Sequence, residues 1–350
     1  MEKKRVLIIF GGCSMEYGIS LQSAYSVITN MNTEKYDTLL IGITKDGSWF
    51  RYYGDISKIL SNTWYLDKDN CVPALISPDR DKHKIIELKN DKVEETEFDI
   101  AYPILHGKNG EDGTIQGLIE LAGIPLVGCD TISSALCMDK DRAHKIVQQA
   151  GVRCPLAVVF TQQYGEEELI EKTAHLSYPL FVKPIKAGSS YGISKIDEQS
   201  QLVEAVGNAF LYDNQVIIEE NIDGFEVGCA VLGNDELTIG DVDEIELTNG
   251  FFDYDEKYNR KSAKIHMPAR IDNETASTIK EAASIIYHAL GCRGFARVDM
   301  FLTPDNEIVF NEVNTIPGFT SKSRYPSMMK GIGLEYEDII DRLIQLGFEK

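Results

Sequence analysis

Two polar pairs sit inside apolar runs near the end of the chain: Arg297 with Asp299, and Glu312 with Asn314, each pair two residues apart. Side chains two apart on a strand share a face. Thr303-Pro-Asp-Asn-Glu307 between the pairs is rich in turn formers, and a hairpin folded there would set the pairs side by side. The resulting patch holds three oxygen ligands and one guanidinium. Such ligands suit magnesium, which keeps several waters and takes one or two carboxylates plus substrate phosphates, so the pattern predicts a magnesium-nucleotide site. A row of charges on an exposed strand face is the alternative. Phe295, Val298, Met300, Phe301, Val309 and Phe310 make both strands read as buried, and buried charges need partners or a metal.

Other segments carry complementary chemistry. Lys183-Pro-Ile-Lys-Ala-Gly188-Ser189-Ser190-Tyr-Gly192 follows a predicted strand; such a loop offers backbone N–H groups and hydroxyls to phosphate, with Lys183 as a point charge. It lacks the Gly-x-x-x-x-Gly-Lys-[Ser/Thr] spacing of the P-loop. Lys140, in Met138-Asp-Lys140-Asp-Arg-Ala-His144-Lys145, lies near a predicted helix N-terminus and could reach a phosphate, while His144 caps or packs. Glu219-Glu-Asn-Ile-Asp-Gly224-Phe-Glu226 ends a strand at an interdomain crossing, where backbone could meet an adenine edge and Glu226 a ribose hydroxyl.

Positioning these groups requires an α/β scaffold. Arg5 to Phe10 reads as a buried strand, Gly11-Gly12 as its turn, Ile19 to Asn30 as a helix and Tyr36 to Thr44 as a second strand, the start of a parallel, doubly wound sheet. Residues 51 to 97 are polar and weakly patterned and read as a peripheral insertion. Phe98 to Leu105 is the next strand and Thr114 to Ala122 a helix. Thr131 to Ala150 reads as helical, followed by strands at 156 to 160, 178 to 184, 192 to 196 and 215 to 220 with helices at 166 to 175 and 198 to 212. Strands at 226 to 233 and 237 to 246, a helix at 273 to 290, the hairpin and a helix near 335 to 346 complete the pattern. The predicted domains are 1–128, 129–223 and 224–350.

With 350 residues, 43% of them hydrophobic, the chain can bury several cores. No apolar run approaches the roughly 20 residues of a membrane span, and Val6-Leu-Ile-Ile-Phe10 is too short for a signal-peptide core, so a soluble, cytoplasmic protein is expected. The seven cysteines make no Cys-x-x-Cys pair and read as reduced core thiols, with Cys13 in a glycine loop the one exception. A net charge of −20 argues against a nucleic-acid partner. An anionic substrate must then be met by local Lys, Arg or magnesium.

Together, His106-Gly-Lys-Asn-Gly-Glu-Asp-Gly-Thr-Ile-Gln-Gly117, Met138-Asp-Lys140, Lys183-Pro with Gly188-Ser-Ser190, Glu256-Lys257-Tyr258, and Arg297-Val-Asp299 through Glu312-Val-Asn314-Thr-Ile-Pro-Gly318 resemble the D-alanine-D-alanine ligase family of ATP-grasp enzymes. The resemblance covers essentially the whole chain. It is strongest to the VanG-type D-Ala-D-Ser ligases of vancomycin resistance, on Phe251 to Tyr258 and Ser321-Lys-Ser-Arg324-Tyr-Pro326. It implies a three-domain ATP-grasp ligase, usually a homodimer, that makes a D-dipeptide for the cell wall from ATP and D-amino acids.

By motif, the resemblance assigns Lys140, Lys183, Ser190, Glu219, Ile222, Glu226 and Lys257 to ATP. Asp299, Glu312 and Asn314 would hold two magnesium ions, with manganese an alternative. Glu16 would take the ammonium of the first D-Ala and form a hydrogen-bonded triad with Ser189 and Tyr258; His106 would lie beside that substrate. Arg297 and the Gly318 N–H would stabilise the oxyanion, and residues about 245 to 262 would supply a lid. Tyr258 implies an amine as second nucleophile. Arg324 follows Ser323, where D-Ala-D-Ala enzymes carry an apolar residue; with Asp243, which would orient Arg324 or accept from the serine hydroxyl, and Phe252 it implies D-Ser as second substrate, because an arginine facing a methyl group would be left unsatisfied. A D-Ala-D-Ala ligase and a catalytically silent nucleotide-binding scaffold are the competing readings.

Overall fold

The computed structural model describes residues 3–89, 92–161, 164–247 and 263–349. In chain order its first part contains β1 (Lys4–Gly11), α1 (Tyr17–Thr29), β2 (Tyr36–Ile43), β3 (Trp49–Tyr52), α2 (Ser57–Leu60), β4 (Cys71–Ile76), β5 (Lys84–Lys89), β6 (Lys92–Glu97), β7 (Ile100–Ile104) and α3 (Thr114–Leu121). These strands form one sheet in the order β6-β5-β4-β3-β2-β1-β7. Val6, Ile8 and Phe10 enter one core while Leu7 and Ile9 enter another. Such two-sided burial is what the interior of a parallel sheet requires.

The expectation of a parallel sheet holds only for β2, β1 and β7. From β2 outward the pairings through β3, β4, β5 and β6 are antiparallel, which makes the sheet mixed. Residues 51 to 97, expected to be a peripheral insertion, supply most of that extension. Their pattern is weak because β6 is a largely exposed edge strand, yet Tyr52, Ile59 and Trp64 are buried, Trp64 edge-on against Phe10 and Tyr52.

The predicted helix over 131 to 150 is two helices, α4 (Thr131–Met138) and α5 (Lys140–Gln149). Asp139 breaks the run with an extended backbone, and its Oδ1 accepts from the Arg142 N–H at 3.0 Å, capping α5. The break points the start of α5, with Lys140, at the site.

A second sheet contains β8 (Ala157–Thr161), β9 (Leu180–Pro184), β10 (Ser194–Ile196) and β11 (Gln215–Glu220) in the order β10-β9-β11-β8, with α6 (Glu166–Thr173) and α7 (Leu202–Ala209). Helix and sheet enclose a core of their own around Val182, Val206 and Ile218. The third sheet contains β12 (Phe225–Gly233), β13 (Leu237–Leu247), β14 (Ala263–His266), β15 (Phe295–Leu302) and β16 (Ile308–Asn314), in the order β14-β13-β12-β15-β16. Helix α8 (Asn273–Ala289) packs on one face through Ile279, Ala283 and Ile286. Helices α9 (Arg324–Gly331) and α10 (Tyr336–Phe348) pack on the other, and their Met328, Leu343 and Ile344 join Val6, Ile8 and Ile100 in a core shared with the first sheet. No described helix is long and apolar enough to cross a membrane. All seven cysteines are free thiols; five are buried, and Cys13 is exposed.

Candidate active site

The hairpin forms as its spacing predicts. Register sets Arg297 opposite Asn314 and Asp299 opposite Glu312, with a bulge after Asp299. Arg297 donates from Nε and Nη2 to Asp299 at 2.7 to 3.0 Å, and Asn314 Nδ2 donates to Asp299 Oδ2 at 2.9 Å. Glu312 Oε2 stands 3.6 Å from Lys140 Nζ. Asp299, Glu312 and Asn314 thus gather hard oxygen donors in a patch whose charge neighbouring cations balance, and they fit magnesium. Among the described residues no group of three or more His, Cys, Asp or Glu could hold a metal; the donors gathered here are two carboxylates and one amide oxygen.

Two clefts meet at this patch. The larger, about 540 Å³, is lined by Lys140, Lys183, Ser190, Glu219, Ile222 and Glu226, among others. These are the described residues that the family resemblance assigned to ATP; Lys257 lies outside the described residues. Lys183 Nζ bonds Glu219 Oε2 at 2.6 Å across adjacent strands β9 and β11. Burial pushes the Glu219 carboxyl up, but Lys183, His144 and Lys140 together outweigh it and hold the group below its usual range. Behind Glu219, His144 packs edge-on against Phe310 and its Nε2 lies 3.1 Å from the Asn311 carbonyl. Ser189 and Ser190 both adopt positive φ, 51° and 59°, a conformation that costs a non-glycine residue of order 1 to 3 kcal/mol and clusters at functional sites.

The smaller cleft, about 280 Å³, is lined by Glu16, His106, Ser189, Arg297, Gly318 and Arg324, with Ser323, Asn314 and Glu111 beside them. Lys140, Ala187 and Glu312 line both clefts, and Lys140 Nζ donates to the Ala187 carbonyl at 3.0 Å. Ser189 Oγ donates to Glu16 Oε1, the pairing expected of the triad; its third member, Tyr258, lies outside the described residues, as does Phe252. His106 is buried with Nε2 3.1 Å from Ser23 Oγ. Burial lowers its pKa to about 4, so the ring is neutral at pH 7.

Arg324, the first residue of α9, is held in a charged nest. Its Nε and Nη2 donate to Asp243 at 2.7 and 2.8 Å, and Nη1 donates to Glu226 at 3.1 Å and lies 3.4 Å from Asp299. The expectation that this arginine would be unsatisfied against a methyl group is therefore corrected, since carboxylates already meet its charge. Asp243 lines neither cleft; Arg324 and the Gly228 N–H occupy its oxygens. Glu226 lines the larger cleft while reaching Arg324, which lines the smaller.

Sequence reasoning missed two positions. Gly228 leaves room for the nest: a Cβ there would stand 2.3 Å from Arg324 Nη2 and 2.6 Å from Asp243 Oδ1. Its signal was a glycine inside an apolar strand run. Glu111 accepts from the Gly107 N–H at 2.7 Å and the Ile316 N–H at 3.2 Å. Its signal was an acidic pair, Glu111-Asp112, between two glycines just past a strand end.

A nucleotide-sized cleft, a smaller polar cleft and a wall common to both define the kind of site that passes a group from a nucleotide to a small substrate. The chain belongs to the D-Ala-D-Ala ligase family: residues 5–129 match the model described as D-ala D-ala ligase N-terminus, and 146–345 the one described as D-ala D-ala ligase C-terminus. It is 45% identical to the vancomycin B-type resistance protein VanB of Enterococcus faecalis, over all of both chains. To a D-alanine–D-alanine ligase of Caldicellulosiruptor bescii it is 44% identical, over 100% of this chain and 96% of the relative. The crystal structure of VanG D-Ala:D-Ser ligase from Enterococcus faecalis superposes with a TM-score of 0.92 at 57% identity, covering 99% of this chain and 100% of that one. The fold is ATP-grasp, with a mixed N-terminal sheet.

Proposed function

We propose that this protein is an ATP-dependent ligase that joins D-Ala to D-Ser through a D-alanyl phosphate, yielding a dipeptide for the vancomycin-resistant cell wall. The observation that carries D-Ser is Arg324, buried at the smaller cleft on the Asp243 fork, in a chain similar over its length to a D-Ala:D-Ser ligase. Three of the five N–H groups of Arg324 make the bonds to Asp243 and Glu226. A serine hydroxyl would add a charge-assisted acceptor worth about 1.5 to 3 kcal/mol, which a methyl group cannot supply.

In this reading, Glu219 and Ile222 hold the adenine side of ATP, Glu226 the ribose, and Lys183, Lys140 and Ser190 its phosphates. Magnesium, held by Asp299, Glu312 and Asn314 together with the phosphates, would offset their charge. Glu16 binds the ammonium of D-Ala in the smaller cleft, and His106, neutral, lies beside it without adding charge. The carboxylate of D-Ala takes the γ-phosphoryl at the wall shared by the clefts. The D-Ser amine then attacks the acyl carbon, and the tetrahedral adduct collapses to the peptide bond as inorganic phosphate leaves and the amine gives up a proton; Arg297 and the Gly318 N–H face the developing oxyanion, each such donor worth roughly 3 to 4 kcal/mol. Excluding water protects the acyl phosphate, the role proposed for a lid over residues 245 to 262. A cytoplasmic homodimer, with neither nucleic acid nor membrane as partner, completes the proposal.

Purified enzyme supplied with ATP, magnesium and equal D-Ala and D-Ser should release mainly D-Ala-D-Ser. Mainly D-Ala-D-Ala would make it a D-Ala-D-Ala ligase. Absence of amino-acid-dependent phosphate release would leave only a nucleotide-binding scaffold.

A further inference from the structure

Two hydrogen bonds tie the 316–319 loop after β16 to the first domain, and a third contact extends one of them to His106. Glu111 Oε1 accepts from the Ile316 N–H at 3.2 Å, Ser23 Oγ accepts from the Phe319 N–H at 3.4 Å, and the same Ser23 hydroxyl lies 3.1 Å from His106 Nε2. Glu111 has a second grip on its own side of the junction, where Oε2 accepts from the Gly107 N–H at 2.7 Å. One carboxylate therefore spans the loop carrying His106 and the loop carrying Gly318. Both loops line the smaller cleft.

The space around this strap is tight. A Cβ on Gly107 would stand 2.3 Å from Glu16 Oε2, so moving the Gly107 backbone moves the wall against which Glu16 rests. Burial, and then the charge of Glu16, push the pKa of Glu111 up to about 8, and against them the Gly107 and Ile316 amides favour the ionised form that accepts from both.

We propose that Glu111 is a positioning residue for the first amino acid: by accepting both the Gly107 and Ile316 amides it fixes the separation between the Glu16–His106 side of the pocket and the Ile316–Gly318 side. The inference rests on the reading that D-Ala binds in this cleft. Only a carboxylate offers two acceptor oxygens at this reach; a glutamine of the same size presents one, and its NH2 group meets the other amide donor with a donor.

The test compares wild type with Glu111→Gln and Glu111→Ala, using isothermal titration of D-Ala into enzyme held with a non-hydrolysable ATP analogue and magnesium, and steady-state rates with D-Ala varied. The expected result for Glu111→Gln is an affinity for the first D-Ala weaker by about tenfold or more, equivalent to about 1.4 kcal/mol, with analogue affinity and melting temperature close to wild type. Glu111→Ala should weaken D-Ala further. Unchanged D-Ala affinity in Glu111→Gln, or analogue affinity falling in parallel with it, overturns the proposal. If wild type binds D-Ala but forms no dipeptide, the functional reading fails while the comparison of D-Ala affinities still decides this one. If wild type binds no D-Ala, both fall.

Discussion

Arg324 and Asp243 form a two-pronged buried ion pair, Nε to Oδ2 at 2.7 Å and Nη2 to Oδ1 at 2.8 Å, although 81 residues separate them. Such forks fix a guanidinium in plane and in direction. Asp243 therefore aims the residue proposed to read the second substrate, rather than touching that substrate itself.

Arg324→Met should lower the preference for D-Ser over D-Ala by about tenfold or more, since the hydroxyl loses a charge-assisted partner; product ratios at equal amino-acid concentrations measure this. Removing one partner of a buried pair also costs about 3 to 5 kcal/mol, so the single variant should melt well below wild type. Adding Asp243→Asn should recover part of the melting temperature but none of the preference. An unchanged product ratio would assign selection elsewhere.

Gly228→Ala tests the same nest from behind. The new methyl meets Arg324 Nη2, Asp243 Oδ1 and Met328 Cε, all closer than 3 Å, and overpacking of this kind costs about 1 to 3 kcal/mol. The KM for D-Ser should rise more than the KM for ATP. Equal changes in both would show a general loss of structure.

His106 connects pH to stability. Its folded pKa of about 4 lies below the ordinary histidine value of 6.5, so between those values the unfolded chain binds more protons and stability falls as pH drops from 6.5 to 4. The full contribution is on the order of 3 kcal/mol. His106→Asn removes that group, and its denaturation midpoint should decline less steeply than wild type across the window. Parallel declines would mean that the imidazole is not held neutral.

Asp299→Asn should raise the magnesium concentration needed for half-maximal activity by at least the roughly 10- to 100-fold seen when even an outer-shell partner of a metal is lost. Because Asp299 also receives Arg297 and Asn314, activity should not return fully at saturating magnesium. Complete recovery would relieve Asp299 of its part in holding Arg297.

The hairpin was legible because period-two polarity, a turn-forming linker and apolar flanks agreed with one another. Lys183, Ser190, Lys140 and Glu226 were legible from loop, helix-start and strand-end chemistry, motif resemblance added the particular roles of Glu219 and Ile222, and all six converge on one cleft. Three things were hidden for physical reasons. Asp139 interrupts a helical pattern because its carboxylate caps the next helix, and composition alone does not separate a cap from an interior acid. Helix α9, only eight residues long and following the glycine and serine of the 318–323 loop, is too short for a 3.6-residue period to stand out. Resemblance had paired Asp243 with Arg324, but Glu226 and Asp299 as further partners of that nest are connected by no local periodicity; only the antiparallel pairing of β12 with β13 and β15 brings them together.

The core shared by the two ends of the chain has a consequence for biogenesis. Met328, Leu343 and Ile344 fill the space beside Val6, Ile8 and Ile100, and even the α-carbon of Gly347 faces Ile100 so closely that a Cβ there would lie 2.7 Å from its Cδ1. Domains generally fold in the order of their synthesis, but the face of the first sheet that carries Val6, Ile8 and Ile100 lacks these partners until α9 and α10 have been made. Burial of β1 is therefore completed by elements more than 300 residues further along the chain.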